Sequence, residues 1–206
     1  METLKKNGSL ETAIILSGGR SLRMGKNKAF LEIEGIPIIV RICTTLTQIF
    51  PDIIVIANET EPYARLGVKT YKDLIPDKGA LGGLYTGLSY SMSPHAFVVA
   101  SDMPYLNRRL IEWMLETVED YDVVVPRTKE GLEPLHAIYS KSCLKSIQSI
   151  LDQGKLRILD FYPLVKVRTL NEAELSSRDP AMVSFINVNT PEELSSLNKM
   201  KRAAVK

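Results

Sequence analysis

Arg20, Arg23, Lys26 and Lys28 place four cations within nine residues, a triphosphate-sized concentration of positive charge. They lie in Leu16-Ser17-Gly18-Gly19-Arg20-Ser21-Leu22-Arg23-Met24-Gly25-Lys26-Asn27-Lys28. Gly18 and Gly19 carry no side chains, so backbone N–H groups there can approach a phosphate closely. The loop follows Thr12 to Leu16, whose β-branched run reads as a buried strand. In an open parallel sheet, ligands bind beyond the carboxyl ends of the strands. Two familiar phosphate loops are excluded. A Walker loop needs four residues between its glycine and GK[ST]; here five separate Gly19 from Gly25, and Asn27 stands where Ser or Thr is required. The GxGxxG dinucleotide loop is absent. The competing reading is a surface turn with a solvated basic face.

A carboxylate is the natural complement. Asp102, in Ser101-Asp102-Met103-Pro104, follows the core strand Ala96 to Ala100. A carboxylate in the same crevice as the glycine loop is well placed to hold Mg²⁺ against phosphates. The alternative is an Asp that caps the next helix. Asn58 and Asp73 each follow a candidate strand, and taken alone each reads as a turn residue. His136 reads as structural or hydrogen-bonding rather than as a general base, and His95 carries no signal.

The elements that must position these residues alternate. Strands are expected over Thr12 to Leu16, Ile53 to Ala57, Lys69 to Tyr71, Ala96 to Ala100 and Asp122 to Val125. Helices are expected over Pro37 to Ile49, Gly82 to Ser91 and Asn107 to Val118, the last capped by Asn107. That rhythm implies a mostly parallel sheet covered on both faces. Beyond Pro126 the pattern loosens. It leaves strands at Leu135 to Tyr139, Leu164 to Arg168 (which could be antiparallel) and Ser184 to Val188. It also leaves a helix over Lys141 to Asp152 and a closing helix over Pro191 to Lys201 capped by Thr190.

Composition bounds the rest. The chain has 206 residues, 45% hydrophobic and 24% charged, which suits one domain with a real core. Residues 1–10 read as a flexible tail, 11–198 as the domain and 199–206 as a basic tail. The net charge of +2 offers no broad basic field for nucleic acid or membrane. Cys43 and Cys143 form no CxxC pair and read as reduced thiols. Neither a signal-peptide core nor an apolar run of the ~20 residues a membrane helix needs is present. A soluble cytoplasmic protein is expected.

LSGGRSLRMGKNK resembles the LxGGxSxRMGxxK signature of the molybdenum cofactor guanylyltransferases, members of the pyrophosphorylase-like nucleotidyltransferases. The resemblance spans Thr12 to about Leu197 through five ordered motifs. It implies an α/β, single-domain, three-layer α/β/α Rossmann-like nucleotidyltransferase fold. By this resemblance Leu16, Ser17, Gly18 and Gly19 touch the nucleotide, and Arg23 and Lys28 face the phosphates as catalytic residues. Asn58 and Asp73 fall where the family has nucleotide contacts. Asp102 matches the metal-binding D-x-P turn. Gly79-Ala80-Leu81-Gly82-Gly83 resembles the GPLGG loop that meets the base, with Ala80 in place of Pro, and assigns Gly82 to the nucleotide. Glu133-Pro134-Leu135-His136-Ala137-Ile138-Tyr139 resembles the EPLHAxY segment near the acceptor. Asn187-Val188-Asn189-Thr190-Pro191-Glu192 resembles NxNTPE, and strand alternation puts Asn187 and Asn189 on one side for the acceptor or the metal.

The implied partners are GTP, Mg²⁺, the molybdenum cofactor (Mo-molybdopterin) and, as recipients, molybdoenzymes or their chaperones. The implied reaction is direct attack of the acceptor phosphate on the α-phosphorus of GTP, with pyrophosphate leaving. Positioning and charge neutralisation then carry catalysis, with no covalent residue. The alternatives are the same transfer from CTP, a sugar-phosphate nucleotidyltransferase, and a catalytically silent GTP-binding regulator. The cytidylyl branch tends to carry TAAG where this chain has LSGG, which favours guanine.

Overall fold

The computed structural model describes residues 12–18 and 27–188. Gly19, Arg20, Arg23, Lys26 and Asn189, both expected tails and the expected closing helix lie outside them. The strands are β1 (Thr12–Leu16), a small hairpin of β2 (Glu32–Ile33) and β3 (Ile36–Pro37), β4 (Asp52–Ile56), β5 (Lys69–Tyr71), β6 (His95–Ala100), β7 (Val123–Thr128), β8 (Gly131–Leu132), β9 (His136–Ser140) and β10 (Val167–Leu170). The helices are α1 (Ile38–Leu46), α2 (Gly79–Tyr90), α3 (Arg108–Glu116), α4 (Cys143–Asp152) and α5 (Glu172–Ser176). The main sheet runs β10-β7-β9-β6-β1-β4-β5, with β8 paired to β7. Every neighbouring pair along that path is parallel except the two that β9 makes, with β6 and with β7.

Strand alternation sorts the core into two layers. Ala13, Ile15, Ile53, Val55, Phe97 and Val99 face one side, where α1 and α3 lay down Ile38, Ile42, Leu110 and Met114. Ile14, Ile54, Ile56, Ala96 and Val98 face the other, where α2 and α4 lay down Leu84, Leu88, Ile147 and Ile150. The result is the expected three-layer α/β/α arrangement, because a strand apolar on both faces must be covered on both.

Glycine lets α2 seat closely on β1. A Cβ built at Gly87 would stand 2.5 Å from Cγ2 of the buried Ile14. Ile14 is β-branched and fully enclosed, so it cannot swing aside cheaply. We expect Gly87→Val to lower the melting temperature by roughly 2–12 °C, from an overpacking cost of about 1–3 kcal/mol. Thermal melts of the two proteins check this; an unchanged midpoint would mean the α2–β1 interface is looser than described.

Two sequence expectations need correction. The strand expected near Leu164 to Arg168 lies at Val167–Leu170 and is parallel to β7, with Val167 level with Val123. After β9 the chain passes through α4 and a 3-10 segment, Ile158–Leu164, both packed on the same face. They return it to the edge where β7 begins, and there Asp122 N–H donates to the Lys166 carbonyl at 2.9 Å. Ser184 to Val188 is not a strand. Val183–Phe185 forms a 3-10 turn after Met182, Asp179 Oδ2 accepts from Ser184 N–H at 2.9 Å, and 186–188 is irregular.

Candidate active site

The site follows from the strand register. Leu16 is level with both Ile56 and Ala100, and Ile56 is level with Tyr71. β1, β4, β5 and β6 therefore end on one line. Gly18, Asn58, Asp73 and Asp102 each stand two residues past it. The ladder continues one residue beyond the strands: Ser17 N–H donates to the Ile56 carbonyl (2.8 Å), Ala57 to Tyr71 (3.0 Å) and Ser101 to Leu16 (3.0 Å). Across the sheet edge the order is Asp73, Asn58, Gly18, Asp102. With neighbouring strands ~4.8 Å apart, the row spans ~14 Å, comparable to an extended nucleotide. Strand order also reverses at this point, since β4 and β5 lie on one side of β1 and β6, β9, β7 and β10 on the other. A topological switch point of this kind opens a crevice at the carboxyl ends.

Two carboxylates sit in the row in uneasy surroundings. Asp102 Oδ1 is buried with no hydrogen-bond partner among the described residues. Burial pushes its carboxyl above the usual range, while its own backbone N–H and the nearby Lys28 ammonium pull it partly back. Asp73 Oδ1 is likewise buried and unpartnered. Burial raises that carboxyl too, and the Thr86 hydroxyl partly offsets the rise. Thr86 also accepts from Leu74 N–H at 3.0 Å, which holds the loop that carries Asp73. A built Cβ at Gly83 would come 3.7 Å from Asp73 Oδ1 and 3.3 Å from Leu16 Cδ2, so the glycine keeps this end of the row close-packed.

Unsatisfied buried acceptors are costly in a protein that binds nothing. Here they are oxygens, the ligand type that hard cations and nucleobase donors require. No group of three or more His, Cys, Asp or Glu side chains among the described residues forms a metal cage. The donor set therefore fits a cation held by one carboxylate together with ligand phosphates and water, the usual manner for Mg²⁺.

The structure spreads the sequence candidates unevenly. Gly18 is exposed with open space around its Cα, and Asn58 is exposed. Leu16 is only 8% exposed and forms the floor beneath Gly83. Gly82 departs from expectation: it is buried, its N–H already donates to the Lys78 carbonyl at 3.2 Å, and a Cβ there would meet Lys78 Cβ at 2.6 Å. The exposed residues at this helix start are Gly79 and Ala80, because the first-turn N–H groups are the ones with no intrahelical acceptor.

His136 fits its structural reading, and its burial sets it apart from the acceptor that the EPLHAxY resemblance implies. It is fully buried, its ring edge-on to Phe97 (5.1 Å) and Phe185 (5.0 Å), and neither nitrogen has a hydrogen-bond partner among the described residues. Burial drives its imidazole down to about 3, with Asp179 opposing the shift. It is a neutral core residue with no surface to offer an acceptor. Asn187 is exposed beside Val188, whose N–H donates to the Asp102 carbonyl at 2.8 Å. Asn187 and Val188 are thus brought beside Asp102. Arg23, Gly19 and Asn189 lie outside the described residues.

Sequence reasoning missed one cluster. Tyr63, fully buried in the 3-10 segment Glu61–Leu66, contacts Ser17 Oγ at 2.6 Å and accepts from Asn27 Nδ2 at 2.7 Å. Ser17 in turn donates to Ser101 Oγ at 2.9 Å. No local motif marks Tyr63, because its partners are 36 and 46 residues away.

Comparison with known proteins shows the family. The profile of the MobA-like NTP transferase domain matches residues 13–167. A probable molybdenum cofactor guanylyltransferase of Pelotomaculum thermopropionicum is 40% identical over 183 residues, covering 89% of each chain. A molybdenum cofactor guanylyltransferase of Desulfosudis oleivorans is 40% identical over 185 residues, covering 89% of this chain and 92% of the relative. The crystal structure of molybdopterin-guanine dinucleotide biosynthesis protein A from Archaeoglobus fulgidus superimposes with a TM-score of 0.80 at 21% identity, covering 93% of this chain and 99% of that one. The 2-C-methyl-D-erythritol 4-phosphate cytidylyltransferase of Thermus thermophilus shares the fold, with a TM-score of 0.68 at 13% identity and coverage of 93% and 99%. Since the profile spans most of the chain and curated relatives share two fifths of its residues over nearly their whole length, the chain belongs to the MobA-like NTP transferase family and is a nucleotidyltransferase.

Proposed function

We propose that this enzyme transfers GMP from GTP to the terminal phosphate of the molybdenum cofactor (Mo-molybdopterin), releasing pyrophosphate. The observation that supports it is the row of strand-end groups, with a carboxylate at either end that keeps one buried oxygen without a partner among the described residues, and Lys28 near one of them. The nucleotide lies along the row. Its base meets Asp73 and the exposed start of α2, and its phosphates meet Gly18, Lys28 and Asp102. An acceptor-only carboxylate suits the adjacent N1–H and N2–H₂ donors of guanine, whereas cytosine presents a single donor group on its pairing edge. Asn58 and Ser17 complete the nucleotide contacts, with Gly19 in the same loop.

The reaction forms one phosphorus–oxygen bond and breaks one. An acceptor phosphate oxygen attacks the α-phosphorus, and the bond to the β-phosphate oxygen breaks with the electron pair leaving on pyrophosphate. Lys28, with Arg23, offsets charge on the phosphates; Asn187 and Asn189 orient the acceptor. Asp102 would hold Mg²⁺, which supplies charge neutralisation at the α-phosphate and leaving group. No side chain is required as a nucleophile. Cys43 and Cys143 are free and buried, with thiols raised to about 11 and about 12 chiefly by burial, which makes them poor nucleophiles.

Calorimetry with Mg²⁺ and GTP, CTP, UTP or ATP tests the base assignment, and pyrophosphate release with the molybdenum cofactor tests the reaction. GTP is expected to bind most tightly and to support release. Equal or tighter binding of CTP would overturn the guanine assignment and leave the reaction class standing. Tight GTP binding without pyrophosphate release would point to a silent regulator.

A further inference from the structure

Tyr63 holds a position that the transferase reading leaves unexplained. Its hydroxyl touches both flanks of the phosphate-binding loop, Ser17 before it and Asn27 after it. The direction of each hydrogen bond can be deduced by counting protons. Asn27 Nδ2 can only donate, so Tyr63 accepts there. Ser17 gives its single proton to Ser101 Oγ. The 2.6 Å contact between Tyr63 and Ser17 therefore runs from Tyr63 to Ser17. The chain reads Asn27 to Tyr63 to Ser17 to Ser101 in one direction, and each hydroxyl in its interior accepts once and donates once. Such a chain is mutually polarised and does not tolerate loss of its middle member.

We propose that Tyr63 is a positioning residue for nucleotide binding: its hydroxyl pins the two flanks of the glycine loop to each other and to the strand end that carries Asp102. The inference rests on the reading of that loop as the triphosphate site. Three features support it. Tyr63 is fully buried, so the hydroxyl has no water to fall back on. Its ring packs on Phe30 at 5.2 Å, just past Lys28, which fixes where the hydroxyl sits. Asn27 is doubly engaged, because its Oδ1 accepts from Ala29 N–H at 3.1 Å while its Nδ2 serves Tyr63. The turn that carries Lys28 is thereby referenced to Ser17 and Ser101, the neighbours of Gly18 and Asp102.

Tyr63→Phe is the decisive variant, since it keeps the ring and removes only the hydroxyl. It leaves a buried Ser17 oxygen without a donor, and a loss of that kind corresponds to about tenfold in affinity. The expected result is a Kd and KM for Mg-GTP raised about tenfold. At saturating GTP, kcat should change less than about twofold and the KM for the acceptor should stay constant, because the hydroxyl touches neither reacting group. Asn27→Ala and the double variant complete a cycle; the double should be little worse than the poorer single, as members of one chain are strongly coupled. Unchanged GTP affinity in Tyr63→Phe, or additive effects in the double, would overturn the proposal. An equal loss in both substrates together with a large fall in melting temperature would also overturn it, by returning Tyr63 to a purely structural role. Failure of the unaltered enzyme to bind any nucleoside triphosphate would instead strike the site reading itself, and the proposal with it.

Discussion

Asp102→Asn is expected to yield a folded protein that turns over roughly 100- to 1,000-fold more slowly, the scale seen when one group that stabilises developing charge is removed. Asn keeps the shape of the side chain but loses the negative charge a divalent cation needs, so added Mg²⁺ should recover only part of the rate. Stability is expected to move the other way. Burial raises the Asp102 carboxyl above its unfolded value. A carboxyl raised on folding favours the folded state at low pH, and that contribution is lost as pH rises through the folded pKa. The ligand-free protein therefore holds a carboxyl whose charged form burial disfavours and whose Oδ1 has no partner among the described residues, a cost that Asn relieves. The ligand-free variant should melt at or above the temperature of the unaltered protein at pH 7, with the difference shrinking towards pH 4. Greater stability with lost catalysis is the signature of a functional group held in unfavourable surroundings. Turnover against Mg²⁺ and melts at both pH values check both halves. Ordinary turnover at ordinary Mg²⁺ would return Asp102 to the role of a turn residue.

Lys28→Ala is expected to weaken GTP binding or turnover by about tenfold or more. Hydrogen bonds to charged groups contribute about 1.5–3 kcal/mol, and ~1.4 kcal/mol is tenfold. The defect lies in a protein cation, so it should respond less to Mg²⁺ concentration than that of Asp102→Asn. The same titration of turnover against Mg²⁺ separates the two variants. Parallel Mg²⁺ responses would mean that Lys28 and Asp102 act through one metal-dependent function, and wild-type kinetics would place Lys28 on the solvated face. Lys28 is also one of the two groups that pull the Asp102 carboxyl back down. Its removal should therefore raise that carboxyl further, and any acid limb of the pH–rate profile that belongs to Asp102 should move to higher pH.

The alternation of apolar strands with amphipathic helices was legible in the sequence because it is a local periodicity, and Lys69–Tyr71 emerged with the bounds expected. The glycine loop and the carboxylate after β6 were legible for the same reason: each is a short string of residue types beside a strand end. Within Gly79 to Gly83 the sequence does not show which N–H groups are open, since only the helix start at Gly79 decides which of them lack an intrahelical acceptor. His136 reads as structural from the sequence, but its setting between Phe97 and Phe185 depends on residues 39 and 49 positions away and only the fold shows it. The direction of β10 was likewise unreadable, because a strand's orientation is set by where the preceding connection returns the chain.

The amino-acid sequence by itself determined the main alternation of strands and helices and that several of those strands run into glycine or polar residues. Tertiary structure alone decided that Gly18, Asn58, Asp73 and Asp102 share one line, because that depends on the register Leu16↔Ile56↔Tyr71 and Leu16↔Ala100. It also decided which polar atoms are left without partners. A carboxylate's pKa, or a tyrosine's role as a post between two flanks of a loop, is a property of what surrounds it, and long-range packing supplies those surroundings.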